Sequence, residues 1–196
     1  MNLPNLLTVF RMGAAFVFLA YGWRGRWDVA FPVFSIAAVT DMVDGTLARL
    51  MRQRTRLGAI LDPAADKILM LFGFVTLTGN RLLPLLFTAF MIGRDLLIVG
   101  GVVILKWRKV PRLYQPTYLS KVTTFFQIAT IFEALLVAQS PSRLVAARYD
   151  TLIVAEAPYT NALRLVTLVL TVITGVQYLR IGFRMLQNEK TQTHRQ

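Results

Sequence analysis

Six long apolar stretches, parted by short polar ones, leave this chain few folds to choose from. They run Leu6–Tyr21, Val29–Leu47, Ala59–Leu77, Leu82–Leu105, Leu119–Val137 and Ala162–Ile181. A helix needs about 20 mostly apolar residues to cross a bilayer, and in lipid its backbone polar groups must be satisfied within the segment. The expected fold is therefore all-α, a polytopic membrane protein with six transmembrane helices. Charged residues make up 16% of the 196. Soluble domains carry roughly 25%, so a water-soluble globule is disfavoured. The first stretch is short and carries Arg11, and a short N-terminal segment is expected to lie along the interface. No internal repeat or low-complexity stretch is visible. Residues 1–196 read as a single membrane-embedded domain with a polar tail from about residue 187.

The net charge is +12, from 22 Lys+Arg against 10 Asp+Glu. One set of span ends carries Arg49, Arg52, Arg54, Arg56, Lys106, Arg108, Lys109, Arg112, Arg180, Arg184, Lys190 and Arg195, whereas the opposite loops carry Arg24, Arg26, Arg81, Arg143 and Arg148. The positive-inside rule then places both termini and the 49–57 and 106–118 loops in the cytoplasm. The basic ends suit anionic headgroups rather than a nucleic acid polymer. No basic start leads into a cleavable signal, and no Arg- and Ser-rich transit peptide is seen, so a bacterial plasma (inner) membrane is expected. Trp23, Trp27 and Trp107 read as interface anchors. With no cysteine and one histidine, His194 near the C-terminus, thiolate chemistry is excluded. Mechanisms that need paired catalytic histidines are disfavoured.

Charges inside the spans are the informative anomaly. Asp41, Asp44, Asp62, Asp66, Asp95 and Glu133 all fall within apolar stretches, where each costs about 2.5–3.5 kcal/mol on insertion scales. Asp41 and Asp44 are i, i+3 near the inner end of the second span; Asp62 and Asp66 are i, i+4 near the start of the third. Each pair shares a helix face, and an antiparallel hairpin brings the four to similar depth. Four bare carboxylates repel strongly in a low dielectric. Hard divalent cations, Mg²⁺ or Mn²⁺, resolve that repulsion. Two such ions about 4 Å apart are the usual device for phosphoryl or nucleotidyl chemistry. Plainer readings exist for single residues: Asp62-Pro63 as a helix N-cap followed by Pro, Gly45 and Gly58 as close-packing residues. They leave Asp41, Asp44 and Asp66 unexplained.

The pattern Asp41-x2-Asp44-Gly45-x2-Ala48-Arg49-x8-Gly58-x3-Asp62-x3-Asp66 resembles, position for position, the signature of the CDP-alcohol phosphatidyltransferase family. Six membrane helices fit that family as well. The resemblance implies that Asp41, Asp44 and Asp62 bind metal, and that Asp66 both helps to bind metal and acts as general base. It further implies that Gly45, Ala48, Arg49 and Gly58 accept the cytidine diphosphate part of the donor, and that the protein is a homodimer. An acceptor hydroxyl would attack the β-phosphorus of CDP-diacylglycerol directly, since no Cys or buried His offers a covalent route.

The acceptor is read from finer likenesses. Asn2-Leu3-Pro4-Asn5-Leu6-Leu7-Thr8-x2-Arg11 and Asp62-Pro63-Ala64-Ala65-Asp66-Lys67 resemble both the phosphatidylglycerophosphate synthases and the eukaryotic-type cardiolipin synthases of the family. Gly93-Arg94-Asp95 and Pro116-Thr117-x2-Ser120-Lys121-x2-Thr124 resemble the cardiolipin group. Phosphatidylglycerol is thus the expected acceptor, with glycerol 3-phosphate the alternative. Arg94, Lys121 and, more weakly, Arg11 are candidates to bind the acceptor's phosphate. Pairing with Asp95 or Asp66 is the plain reading of Arg94, and snorkelling to headgroups that of Lys121. Intramembrane carboxylates also mark ion pathways, so a divalent-cation transporter is a distant alternative, though no inverted repeat supports it.

Overall fold

The computed structural model describes the backbone of residues 3–51, 58–107, 117–139 and 158–193, and the side chains there except at 3–7, 41–51, 58–64, 106, 158 and 186–193. The elements are α1 Leu3–Trp23, α2 Trp27–Met51, α3 Gly58–Gly79, α4 Leu85–Trp107, α5 Tyr118–Gln139 and α6 Pro158–Thr193. Among the described residues there is no strand. Each helix overlays one expected span, yet three details differ. α3 begins at Gly58, so Asp62 is inside the helix and not its N-cap. α6 runs for 36 residues, carrying the polar stretch from residue 187 on as helix to Thr193. Trp27 is buried at 3% exposure and is no interface anchor; Trp23 and Trp107 are exposed.

Among the described residues three segments are long and apolar enough to cross a membrane, Leu85–Leu105, Tyr118–Gln139 and Tyr159–Met185, as expected of a multi-pass membrane protein. Shorter described apolar stretches are Thr8–Trp23 in α1 and Trp27–Thr40 in α2.

The helices divide between two compact units. The first holds α1, α2, α3 and the end of α5 from Ile131. There α1 packs on both α2 and α3, turning Thr8, Arg11, Ala15 and Phe18 inward at helical spacing. Rings meet at Phe16–Phe72, Phe18–Phe34 and Phe31–Phe132, with centroids 5.2, 5.3 and 5.1 Å apart. α1 and α3 approach closely at Gly22, where a Cβ would fall 2.6 Å from Thr76 Cγ2.

Two helix ends in this unit close in the same way. After α1, the Gly25 amide donates to the Gly22 carbonyl and the Arg26 amide to that of Tyr21, both at 2.9 Å. After α3, the Arg81 amide reaches Thr78 O at 2.9 Å and the Leu82 amide Leu77 O at 2.8 Å. Both are Schellman closures with a left-handed residue just past the helix: Gly25 at φ 70° and Arg81 at φ 60°. Asn80 ties the two ends together, donating to Gly22 O at 3.1 Å and Thr76 O at 2.9 Å. Gly25→Ala should therefore cost about 1 kcal/mol of stability. Arg81→Ala should cost almost nothing, because the native residue already bears that strain. Thermal unfolding of the two variants in one detergent checks the difference.

Between α1 and α2, Arg26 donates to both Asp28 carboxylate oxygens at 3.0 and 2.9 Å. That hydrogen bond holds the Asp28 carboxyl below its ordinary value. What the pair contributes is present at neutral pH and is lost as pH falls through the lowered value. Both groups are exposed, so the contribution is small.

The second unit holds α4, α5 up to Thr130, and α6. Its helices are joined by polar side chains. Ser120, Thr123, Gln127 and Thr130 form a buried stripe on α5; Arg164, Thr167, Thr171 and Thr174 form one on α6 at the same spacing. Thr130 and Thr167 meet hydroxyl to hydroxyl at 2.9 Å. Gln127 Nε2 and Thr171 Oγ1 both donate to the sulfur of Met91, at 3.5 and 3.1 Å. Small hydroxyl residues hold apolar helices together in just this manner where hydrophobicity alone gives no specificity.

Candidate active site

The sequence motif falls on two helices of the first unit. Asp41, Asp44, Gly45, Ala48 and Arg49 lie in the last three turns of α2, and Gly58, Asp62 and Asp66 in the first three of α3. Both helices are unbroken through the motif, so the i, i+3 and i, i+4 spacings hold and each Asp pair shares a helix face. The side chains of Asp41, Asp44, Gly45, Ala48, Arg49, Gly58 and Asp62 lie outside the described residues. Among the described side chains, no group of three or more metal-ligating residues occurs.

Asp66 is described, and its setting is specific. Arg11 Nη1 of α1 donates to Asp66 Oδ1 at 3.3 Å. The Arg11 side chain is 2% exposed and that of Asp66 45%. The pair is thus lopsided: the cation is sealed between helices, whereas the carboxylate is open to whatever approaches α3. A buried guanidinium without a carboxylate is costly, and Asp66 answers it while its side chain stays nearly half exposed. Arg11 is therefore part of the wall behind Asp66 and does not lie at a headgroup surface. Thr8, one turn before Arg11, is also buried.

The other two candidates belong to the second unit. Arg94 is buried and its guanidinium is shared among three helices. Nη1 donates to Asp95 Oδ1 at 2.7 Å, Nη2 to Ser120 Oγ at 2.5 Å and Ser120 O at 3.4 Å, and Nε to Thr174 Oγ1 at 3.4 Å. Of its two anticipated partners, Asp95 is the one it takes. Thr117 caps α5 by accepting the Ser120 amide at 3.3 Å, and its own amide donates to the Tyr178 hydroxyl at 3.3 Å. Lys121 is exposed in the first turn of α5.

Thr174 and Tyr178 did not stand out as functional from the sequence, and Ser120 did so only as part of the stretch that ends at Thr124. The signal was there: hydroxyl residues recurring every three or four positions in apolar helices mark a buried polar seam. What the sequence cannot give is which cation that seam serves.

The model of the CDP-alcohol phosphatidyltransferase family matches residues 1–180. The chain belongs to that family and is a CDP-alcohol phosphatidyltransferase family enzyme, of a kind that generally uses divalent metal ions. It is 31% identical over 193 residues to the CDP-diacylglycerol--glycerol-3-phosphate 3-phosphatidyltransferase of Aquifex aeolicus, covering 96% of this chain and 100% of that protein. It is also 31% identical over 196 residues to the human cardiolipin synthase (CMP-forming), covering 95% of this chain and 63% of that longer protein. A Pseudomonas fluorescens protein of the same name as the Aquifex one is 42% identical over 106 residues, half of this chain and 53% of that one. The relatives thus include enzymes of two different names, a glycerol-3-phosphate 3-phosphatidyltransferase and a cardiolipin synthase.

Proposed function

We propose that the protein transfers a phosphatidyl group from CDP-diacylglycerol to the hydroxyl of phosphatidylglycerol, giving cardiolipin and CMP. The observation that carries the acceptor assignment is the contact of Arg94 with Ser120. Gly93-Arg94-Asp95 and the Thr117–Thr124 segment are the two stretches resembling the cardiolipin group, and they meet in one hydrogen-bonded cluster. In this reading Arg94 and Lys121 attend the single negative charge of the acceptor's phosphodiester. A second reading, glycerol 3-phosphate as acceptor, draws support from the full-length match to the Aquifex enzyme.

The residues divide the work as follows. Gly45, Ala48, Arg49 and Gly58 receive the cytidine diphosphate, with glycine allowing the nucleotide close to the backbone. Asp41, Asp44, Asp62 and Asp66 would hold two divalent cations; an all-oxygen donor set fits Mg²⁺ or Mn²⁺. Such ions, when bound, neutralise the pyrophosphate and the departing CMP. Asp66 takes the proton of the acceptor hydroxyl. That oxygen forms a bond to the β-phosphorus, and the phosphorus–oxygen bond to CMP breaks. Arg11 holds Asp66 in place from behind. We further read α1, α2 and α3, of 21, 25 and 22 residues, as membrane-spanning. That gives six spans in one domain, with both termini and the Asp motif on the cytoplasmic side of a bacterial inner membrane and a homodimeric assembly.

Direct displacement has a kinetic signature. CMP release should require CDP-diacylglycerol, phosphatidylglycerol and divalent cation together. Withholding the acceptor should abolish exchange of labelled CMP into CDP-diacylglycerol, and EDTA should abolish turnover. Rapid exchange without acceptor would mean a covalent phosphatidyl-enzyme, and full turnover in EDTA would remove the metals from the mechanism.

A further inference from the structure

The second unit holds a cleft that the reaction leaves unused. It lies between the C-terminal halves of α4 and α6, has a volume of about 350 Å³, and is lined by Leu97, Gly101, Ile104, Tyr178, Leu179 and Phe183 among others. The lining is apolar except for the Tyr178 hydroxyl, which accepts the Thr117 amide. On its α4 side the cleft exists because two consecutive residues, Gly100 and Gly101, have no side chains: a Cβ at either would meet nothing within 4 Å. Ile104 is 51% exposed and Phe183 65%, so the cleft opens outward.

Such a space in a membrane protein does not stay empty or wet. Water gains no hydrogen-bond partners along an apolar wall, so the occupant is itself apolar. On the α6 side the cleft is flanked by cations: Arg180 and Arg184 are exposed next to its lining residues Leu179 and Phe183. Apolar depth with a basic flank matches a lipid whose chain is buried and whose headgroup is anionic. A second copy of the chain fits less well. A two-fold contact presents the same patch from both sides, which would set one basic flank against the other.

We propose that the α4–α6 cleft binds one acyl chain of an anionic diacyl phospholipid, with its phosphate beside Arg180 and Arg184. The site does not depend on which acceptor the enzyme uses.

Electron paramagnetic resonance tests this directly. The protein is reconstituted in phosphatidylcholine nanodiscs with a trace of chain-spin-labelled phosphatidylserine, an anionic lipid that is neither donor nor acceptor in the proposed reaction, or of equally labelled phosphatidylcholine as control. A motionally restricted component is expected, larger for phosphatidylserine. Gly101→Leu adds a side chain where a Cβ meets nothing within 4 Å and should abolish that excess; Ile104→Trp, at an exposed position, is the second filling variant. Arg180→Gln and Arg184→Gln should each lower the preference for phosphatidylserine about fivefold, the weight of one cation near an anionic headgroup. No restricted component in the native protein, or an unchanged one in both filling variants, overturns the proposal. So does conversion of a dimer to a monomer by Gly101→Leu with the lipid signal intact, since the face would then be an interface between copies.

Discussion

Asp66→Asn should lower turnover by a factor of about 10²–10⁴, the usual worth of a positioned general base, while leaving CDP-diacylglycerol binding close to native. The asparagine oxygen can still accept the Arg11 hydrogen bond, now made at 3.3 Å, so the fold around α1 and α3 should persist. What is lost is the capacity to take the acceptor's proton. Asp41→Asn, Asp44→Asn and Asp62→Asn should instead lose turnover and donor binding together, because their assigned part is to balance the donor's pyrophosphate through bound cations. Asp66→Ala separates the structural from the chemical role. It withdraws a carboxylate from an Arg11 side chain that is only 2% exposed, and should depress the melting temperature where Asp66→Asn does not. Steady-state turnover, calorimetric titration with donor and thermal unfolding on the same preparations distinguish these cases. Equal loss of donor binding and turnover in Asp66→Asn would reduce Asp66 to a metal ligand alone.

The largest effect on stability should come from Arg94→Ala. The native guanidinium joins α4 to α5 and α6 through Asp95, Ser120 and Thr174, and its side chain is 3% exposed. Its removal leaves the Asp95 carboxylate, 15% exposed, without that cation, and breaking a buried pair from one side costs about 3–5 kcal/mol. Arg94→Lys should recover only part of this, because a single ammonium cannot reach three partners in the plane of a guanidinium. Lys121→Ala is the companion variant. Lys121 is exposed, so its loss should leave unfolding unchanged and raise the KM for phosphatidylglycerol. A normal melting temperature in Arg94→Ala would mean that the polar seam of α5 and α6 holds the unit together without it.

How much of this was legible in the sequence follows from what each feature depends on. The helices were, because an apolar run of span length has few alternatives, and each run lies within a few residues of one observed helix. The ends were less so. α6 continues to Thr193 since a helix can leave the apolar layer and stay helical in water, where hydropathy is silent. Trp27 reads as an anchor by type but is buried at the start of α2; burial depends on which neighbour it meets across a turn. Arg11 looked like a headgroup contact because basic residues near an N-terminus usually are. Its pairing with Asp66, 55 residues away, is a tertiary fact that local spacing does not carry. The Asp motif was fully legible as a pattern, since one-turn spacings survive in unbroken helices. Arg94 was legible only as two alternatives, between which the geometry of the second unit chooses.

The acceptor assignment is the part of the function most exposed to refutation, and lipid mass spectrometry tests it most directly. Purified protein is given CDP-diacylglycerol and Mg²⁺ with either phosphatidylglycerol or glycerol 3-phosphate, and the lipid product is identified. The expected result is cardiolipin with CMP from phosphatidylglycerol, and little or no product from glycerol 3-phosphate. Efficient formation of phosphatidylglycerophosphate, with no cardiolipin, would contradict the assignment and make glycerol 3-phosphate the acceptor.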